Sequence, residues 1–296
     1  MTRGRVSAAA FLLLVCAVTA PVLLHAQAVQ RSIYASALDQ NGAPVADLGP
    51  SDFVVREDKV AREILKVAPA SDPMQIVLLV DNSQAADPFI PDYREGIPAF
   101  ISTIAADETG ARHEISIVTL AERPTLNTDY TTDADRLIKG AQRIFSISAS
   151  GNYLLDGIIE TSKAITKRGS TRPVIVAITT EGPEMSDRVY QSVLEPLRAS
   201  GATFHVLIVG TPRNNNHDRA VVLDMGTKDS GGRYDTIMTS NALAARMKQI
   251  ATDLTHQYRV TYARPDSLIP PEHVTIGPAK PGLTVRGTPM KVVRDR

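Results

Sequence analysis

Oxygen-bearing side chains follow an apolar run in the first third of the chain. Residues 76–87 read IVLLVDNSQAAD, in which aliphatic residues end at Asp81 and Ser83 comes two positions later. A buried strand of this kind delivers a carboxylate and a hydroxyl to the edge of a sheet, where an oxygen-ligated metal site can begin. Position 85, where a third side-chain oxygen is expected, is Ala85. The pattern is compatible with a working metal site, a damaged one or a plain strand end.

Two more loops are expected beside this one. SASGNYLLDG (residues 148–157) leads into a helical pattern, and TTEGPEMSD (residues 179–187) follows an apolar strand. In an open α/β sheet, ligands bind beyond the carboxyl ends of the strands, where the strand order reverses. Oxygen atoms from the three loops could therefore converge on a hard cation such as Mg²⁺, which keeps several waters and needs few protein ligands.

The elements that position these loops alternate along the chain from residue 74. Apolar strand candidates alternate with helical patterns, which predicts an α/β fold with a doubly wound, mainly parallel sheet. The more polar segment RPTLNTDYT (residues 123–131) is expected at a sheet edge. The strand candidates are QIVLLVD, EISIVTL, PVIVAIT and TFHVLIVG, and the helix candidates are residues 92–106, 133–147, 153–167, 186–200 and a segment capped by Ser240.

Both ends of the chain are β-rich. We predict four parts: a signal peptide at residues 1–28, an N-terminal β-rich segment at 29–70, the α/β domain at 71–262 and a C-terminal β-rich tail at 263–296. The tight turn expected at Glu57-Asp58-Lys59 separates two strands of the N-terminal segment. We hypothesise that the two β-rich ends pack together in one small sandwich.

The first residues have the character of an export signal. Arg3 and Arg5 precede an apolar stretch at residues 8–24, and Ala26 and Ala28 offer small residues for cleavage. The alternative is an uncleaved signal anchor, because the stretch approaches the ~20 residues that span a bilayer. Cleavage predicts a periplasmic or secreted protein with no membrane span. Cys16 is the single cysteine, so a thiol nucleophile, a disulfide framework and a cysteine metal site are excluded from the mature chain.

Composition narrows the class of partner. The 296 residues carry 32 basic and 32 acidic side chains, a formal net charge of zero, and no basic run that could follow a phosphate backbone. Nucleic-acid binding is therefore not expected, because it depends on clustered Lys and Arg. The hydrophobic content of 43% is ordinary for a globular protein.

Several motifs, in order, resemble those of the von Willebrand factor type A (vWA) family. IVLLVDNSQ is similar to the first strand and metal loop, which the family writes Asp-x-Ser-x-Ser, and SGNYLLDGI to the second loop. VIVAITTEG resembles the fourth strand with its Thr-Asp-Gly end, and ATFHVLIVG and GTKDSGGRY resemble later segments. The resemblance covers roughly residues 74–258. The flanking segments resemble a bacterial exported group of vWA-related proteins that is common in acidobacteria.

The resemblance implies a metal-ion-dependent adhesion site, whose Mg²⁺ is completed by an acidic residue of a protein partner. Asp81 and Ser83 match the family pattern, whereas Ala85 replaces its second Ser. Asn152 stands where the family has Thr, and Glu181 where it has Asp. The implied metal ligands are therefore Asp81, Ser83, Asn152 and Glu181, and the expected site is degenerate, with Mg²⁺ held weakly or not at all.

The expected function is that of an exported protein-binding module, not an enzyme. One alternative is a cell-envelope scaffold that works without metal. Another is an Asp-dependent phosphohydrolase, because such enzymes also place an Asp after an apolar strand. Those enzymes usually carry a second Asp two residues on, where this chain has Ser83, and the sequence contains no Gly-x-Ser-x-Gly elbow and no P-loop.

Overall fold

The computed structural model describes residues 28–211, 216–238, 242–265, 269, 271 and 273–289. Residues 1–27 of the predicted signal peptide and Ser240, the predicted helix cap, lie outside the described residues. The strands are β1 (Ala28–Leu38), β2 (Phe53–Glu57), β3 (Val60–Arg62), β4 (Ile64–Pro69), β5 (Gln75–Val80), β6 (Glu114–Thr119), β7 (Thr125–Thr131), β8 (Pro173–Thr180), β9 (Thr203–Val209), β10 (Tyr234–Ile237), β11 (Tyr258–Pro265), β12 (Val274–Pro278) and β13 (Thr284–Pro289). The helices are α1 (Ile90–Ala105), α2 (Ala134–Gln142), α3 (Leu154–Arg168), α4 (Tyr190–Ser200), α5 (His217–Ser230) and α6 (Leu243–Thr255).

The central sheet has six strands in the order β10-β9-β8-β5-β6-β7. All neighbouring strands are parallel except β6 and β7, and β7 lies at the edge as its polar sequence predicts. The predicted α/β class with a mainly parallel sheet is confirmed. Because β5 pairs with β6 on one side and with β8 on the other, the strand order reverses beside β5. The carboxyl ends of β5 and β8 therefore form the crevice where this type of sheet binds ligands.

Helices cover both faces of the sheet because the central strands are apolar on both sides. Ile76, Leu78 and Val80 of β5 pack in the core formed with α1, α2 and α6. The alternate residues Val77 and Leu79 pack in the second core, with α3, α4 and α5. Strand side chains alternate between the two faces, so a continuous apolar run is the pattern required by a sheet that is buried on both sides.

Two helix predictions need correction, and one further helix is not predicted. The helix predicted at residues 133–147 ends at Gln142, and the one predicted to begin at Ser186 begins at Tyr190, with Val189 at its N-cap. The sequence pattern predicts no helix over α5. Its buried residues are Arg219, Val222, Leu223, Gly226, Thr227 and Ser230. That mixture of charged, small and apolar residues forms no apolar stripe, so periodicity gives no signal.

The two β-rich ends pair with each other. Strand β1 lies between β11 and β13 in an antiparallel sheet of four strands, and β12 pairs with β2 in a sheet of three. Ile33, Val55 and Val260 are buried together between these sheets. The whole of β11 belongs to the four-stranded sheet, so the boundary predicted at residue 262 falls inside this strand. Among the described residues, no helix combines the length and the apolar character needed to cross a membrane.

His205 lies buried in β9. Its Nδ1 accepts a hydrogen bond from the backbone N–H of Arg233 at 3.2 Å, whereas its Nε2 has no hydrogen-bond partner among the described residues. Burial, together with the nearby positive charges of Arg286 and Arg233, lowers the pKa of His205 from 6.5 to about 3. The folded protein therefore keeps this imidazole neutral.

This lowered pKa predicts acid sensitivity. The unfolded chain binds the proton near pH 6.5 and the folded chain only near pH 3, so stability falls as pH falls between these values. Well between these two pKa values, protonation of His205 lowers the free energy of unfolding by about 1.4 kcal/mol for each pH unit of acidification. We expect wild type to lose about 1.6 kcal/mol relative to His205→Asn between pH 6.5 and 5, measured by urea unfolding at both pH values. Asn keeps a polar group near Nδ1 without titrating. If the free energies of unfolding of wild type and His205→Asn fell equally with pH, the lowered pKa of His205 would be contradicted.

Candidate functional site

Asp81 ties together the ends of the two central strands. It follows β5 directly and is fully buried. Its Oδ1 accepts a hydrogen bond from the backbone N–H of Ser83 at 2.9 Å. Its Oδ2 accepts from the backbone N–H of Thr180 at 3.0 Å and from the Thr180 hydroxyl at 2.7 Å. The carboxylate therefore joins the first loop (residues 81–89) to the end of β8, just before the third loop (residues 181–189).

Ser83 and Ala85 differ in what they offer to a ligand. Ser83 is buried, and its Oγ has no hydrogen-bond partner within the described part of the chain. Ala85 presents a methyl group to the third loop, so closely that a Cβ added to Gly182 would collide with it. Glycine at position 182 therefore permits the first and third loops to touch. Position 85, where a third side-chain oxygen is expected, therefore lies in the contact with Gly182 and carries only a methyl group.

Asn152 connects the second loop (residues 143–153) to the third. Its backbone N–H donates to the Pro183 carbonyl at 2.9 Å, and its carbonyl accepts from Met185 at 2.7 Å. Its side-chain Nδ2 donates to Thr179 Oγ1 at 2.8 Å. The amide oxygen Oδ1 is buried and has no partner in the described ranges. The structure thus places Asp81 and Ser83 of the first loop and Asn152 of the second loop at the same end of the sheet.

Glu181 is paired with an arginine that the sequence reasoning missed. Arg219, in the first turn of α5, is buried and donates from Nη1 to Glu181 Oε2 at 3.2 Å. Its Nη2 donates to the Thr180 carbonyl at 2.8 Å and to Thr179 Oγ1 at 3.3 Å. Asn216 caps the helix by accepting from the Arg219 backbone N–H. That cap could have indicated α5 from sequence, but it does not predict where the Arg219 side chain points.

These surroundings do not fit a fully ligated Mg²⁺ ion, which requires about six oxygen ligands in octahedral geometry. Both carboxylate oxygens of Asp81 already accept hydrogen bonds. Ala85 offers no oxygen, and the Glu181 carboxylate is neutralised by Arg219. Within the described residues, no three His, Cys, Asp or Glu side chains gather into a metal-binding group. A guanidinium supplies the positive charge at the third loop.

A cavity of about 710 Å³ opens beside the third loop. Its lining includes Glu184, whose side chain is 1% exposed. Glu184 Oε1 accepts from the Ser186 backbone N–H at 3.0 Å, whereas Oε2 has no hydrogen-bond partner among the residues described. Burial raises the pKa of the Glu184 carboxyl. Other residues of the lining are Ala85, Phe89, Glu181, Val209 and Arg219.

Apolar side chains surround this polar network. Phe145, Ile147, Met185 and Val189 are 63%, 37%, 52% and 59% exposed. Phe145 and Ile147 are held beside the first loop by Asn82. Its side-chain Nδ2 donates to the Phe145 carbonyl at 3.1 Å, and its backbone carbonyl accepts from the Ile147 N–H at 2.9 Å. We call this end of the sheet, with its three loops, the top face. Several large apolar side chains exposed at one end of a domain are typical of a protein-interaction surface.

Comparison with known proteins identifies the fold. Over 91% of this chain and 67% of the other, the structure is similar to a von Willebrand factor type A protein from Catenulispora acidiphila, with a TM-score of 0.52 and 12% identity. It is also similar to the vWF domain of the pili tip protein Mfa5 from Porphyromonas gingivalis (TM-score 0.47, 10% identity, 62% and 96% covered). A third similar structure is proximal thread matrix protein 1 from the mussel byssus, with a zinc-occupied MIDAS motif (TM-score 0.48, 12% identity, 67% and 49% covered).

The protein is therefore an α/β protein with the vWA fold, as the resemblance of its motifs predicts. No protein-family model and no curated protein matches the sequence.

Proposed function

We propose that this chain is an exported protein-binding module that contacts its partner through the top face, and that its metal site is degenerate. The observation that carries the proposal is the set of exposed apolar side chains around the buried network of Asp81, Asn152 and Arg219. The network holds the three loops in place, and the exposed apolar side chains supply the surface that a partner can cover. Export rests on the apolar N-terminal stretch and on the resemblance to an exported bacterial group.

The charges at the third loop are the reason for proposing that partner binding is independent of metal. In the family pattern, the acidic residue at position 181 faces a cation of the site. Here Arg219 neutralises Glu181 and also bonds the Thr180 carbonyl. Asp81, Ser83 and Asn152 carry oxygen atoms at positions of the family pattern, but the hydrogen bonds of Asp81 and Asn152 connect the loops. We infer that partner binding does not need Mg²⁺.

The phosphohydrolase alternative is disfavoured by the state of Asp81. A nucleophilic carboxylate needs one oxygen that is accessible to phosphorus. Asp81 is fully buried, and its two oxygens accept hydrogen bonds from Ser83 in the first loop and from Thr180 at the end of β8. These hydrogen bonds support a structural role for the Asp81 carboxylate, which holds the loops of a binding module together.

A capture experiment tests the proposal. The immobilised protein is exposed to an envelope fraction of the source organism, with either EDTA or Mg²⁺ in the buffer. We expect the same partner in both buffers, and a loss of at least about tenfold in capture for Ile147→Glu and Met185→Glu, because a charge at an apolar interface is left desolvated. Leu65→Glu is the matched control. Leu65 is also an exposed apolar residue, at 43%, but it lies on β4 in the four-stranded sheet and not on the top face.

Two results would contradict the proposal. Loss of the partner on chelation would show that metal completes the site. Equal capture by the top-face variants and by Leu65→Glu would show that the partner binds elsewhere, as expected of an envelope scaffold.

A further inference from the structure

The two β-rich ends, β1–β4 and β11–β13, form a terminal sandwich that meets the amino end of the central sheet. Among the described residues, the apolar core of this sandwich shares no member with the two cores of the α/β domain. The contact between the two units, which we call the joint, contains buried polar groups. Gln257 Nε2 donates to Ser36 Oγ at 3.2 Å, and the Arg172 guanidinium lies 4.9 Å from the centre of the Tyr34 ring. Water can solvate such groups when they separate, so the fold parts more easily at the joint than through an apolar core.

Packing at the joint is incomplete beside β13. A Cβ added to Gly231, at the end of α5, would lie 2.5 Å from the Gly287 carbonyl oxygen of β13, so the two backbones touch there. Next to this contact, a cavity of about 830 Å³ lies between the ends of α4 and α5 and the strands β12 and β13. Gly231, Arg286 and Gly287 line it. Strand β13 therefore meets the α/β domain at the edge of an open space.

Arg286 of β13 carries a charge across the joint. Its Nη2 lies 3.3 Å from Asp253 Oδ2, and Arg233 Nη1 lies 3.4 Å from the same oxygen. Asp253 is buried on α6, close to Asp235 of β10 and to His256 at the end of α6. The two arginines are balanced by the two carboxylates, so a further positive charge in this cluster has no counter-charge.

His205 places a titratable group beside these arginines. It lies buried on β9, where Val176 of β8 is its neighbour in the sheet. Because Nδ1 accepts the backbone N–H of Arg233, the neutral ring carries its proton on Nε2. Protonation would turn Nδ1 into a donor that faces another donor, and would add a positive charge near Arg233 and Arg286. The closed joint therefore accommodates only the neutral imidazole.

We propose that the joint opens in acid, because protonated His205 repels Arg286 and releases β13 with the terminal sandwich from the α/β domain. Each unit keeps its own apolar core. The connections at residues 70–74 and 256–257 hold the two units together and limit the movement. The joint lies at the opposite end of the central sheet from the top face, so the inference does not depend on the proposed function.

A distance measurement tests the opening. Spin labels at Lys66→Cys on β4 and Lys163→Cys on α3, both exposed positions, are placed in the full chain with Cys16→Ser, and pulsed electron resonance gives their separation. The pKa of His205 is about 3 in the closed joint and 6.5 for an exposed ring. We therefore expect the ratio of open to closed protein to rise by up to about 30-fold between pH 7.5 and 5, while the circular dichroism stays unchanged.

Two histidine variants are the controls. His205→Asn should stay closed at both pH values, and His256→Asn, which removes an exposed histidine near the joint, should open like wild type. Burial raises the pKa of Asp253, so protonation of this carboxyl favours the closed joint and opposes the effect of His205. Asp253 is unchanged in His205→Asn, so the difference between the two proteins isolates the histidine.

Wild type alone decides the question if His205→Asn does not fold. An unchanged distance distribution at pH 5 would overturn the inference. So would a changed distribution that is accompanied by loss of the helical circular dichroism, because acid would then act on the whole fold and not on the joint. Equal opening of a folded His205→Asn would assign the acid response to another group and would also overturn it.

Discussion

Replacing Arg219 by methionine is expected to lower the free energy of unfolding by about 3–5 kcal/mol. Methionine keeps much of the side-chain volume but removes every donor. The substitution leaves the Glu181 carboxylate without its ion-pair partner and the buried Thr180 carbonyl without the donor at 2.8 Å. Breaking a buried ion pair by removing one member is costly because the other charge stays desolvated. Urea unfolding at pH 7 would measure the loss.

Arg198→Met is the matched control for Arg219. Arg198 also pairs with an acid, Asp229, but the two side chains are 53% and 42% exposed. Exposed pairs of this kind contribute roughly 0–1 kcal/mol, because water screens the charges. Similar losses for the two variants would show that Arg219 does not act as an internal cation of the third loop.

Replacing Asp81 by alanine is expected to cost about 4 kcal/mol. The substitution removes the acceptor of three hydrogen bonds, from the backbone N–H groups of Ser83 and Thr180 and from the Thr180 hydroxyl. Each buried donor left without a partner costs about 1–3 kcal/mol. Asp81→Asn should lose nearly as much, since its amide NH₂ must face one of the two backbone donors. Thermal and urea unfolding would measure both variants.

The control for Asp81 is Asp187→Ala, at an exposed position of the third loop. A surface substitution of this kind is expected to change stability by no more than about 0.5 kcal/mol. EDTA should leave the wild-type unfolding midpoint unchanged, because hydrogen bonds to the protein rather than a metal hold Asp81. A lowered midpoint in EDTA would show that Asp81 binds a structural cation.

Five of the six strands of the central sheet could be predicted from sequence, but the short edge strand β10 and helix α5 could not. β5, β6, β8 and β9 each lie within a residue of a predicted apolar run, because a strand buried on both faces requires apolar residues throughout. Helix α5 has no apolar stripe. Its buried Arg219 faces the third loop instead of a hydrophobic core. A helix whose buried face is partly polar gives no periodic signal.

The sequence by itself determined that Asp81 ends a buried strand and that the fold is α/β, because both follow from local runs of apolar residues. Only the tertiary structure decided which charge stands beside Glu181. Arg219 is 38 residues away in sequence and becomes its partner through the packing of α5 beside β9. Whether an acid pairs with a metal, an arginine or water depends on desolvation and on groups brought close by folding. No local spacing encodes that choice.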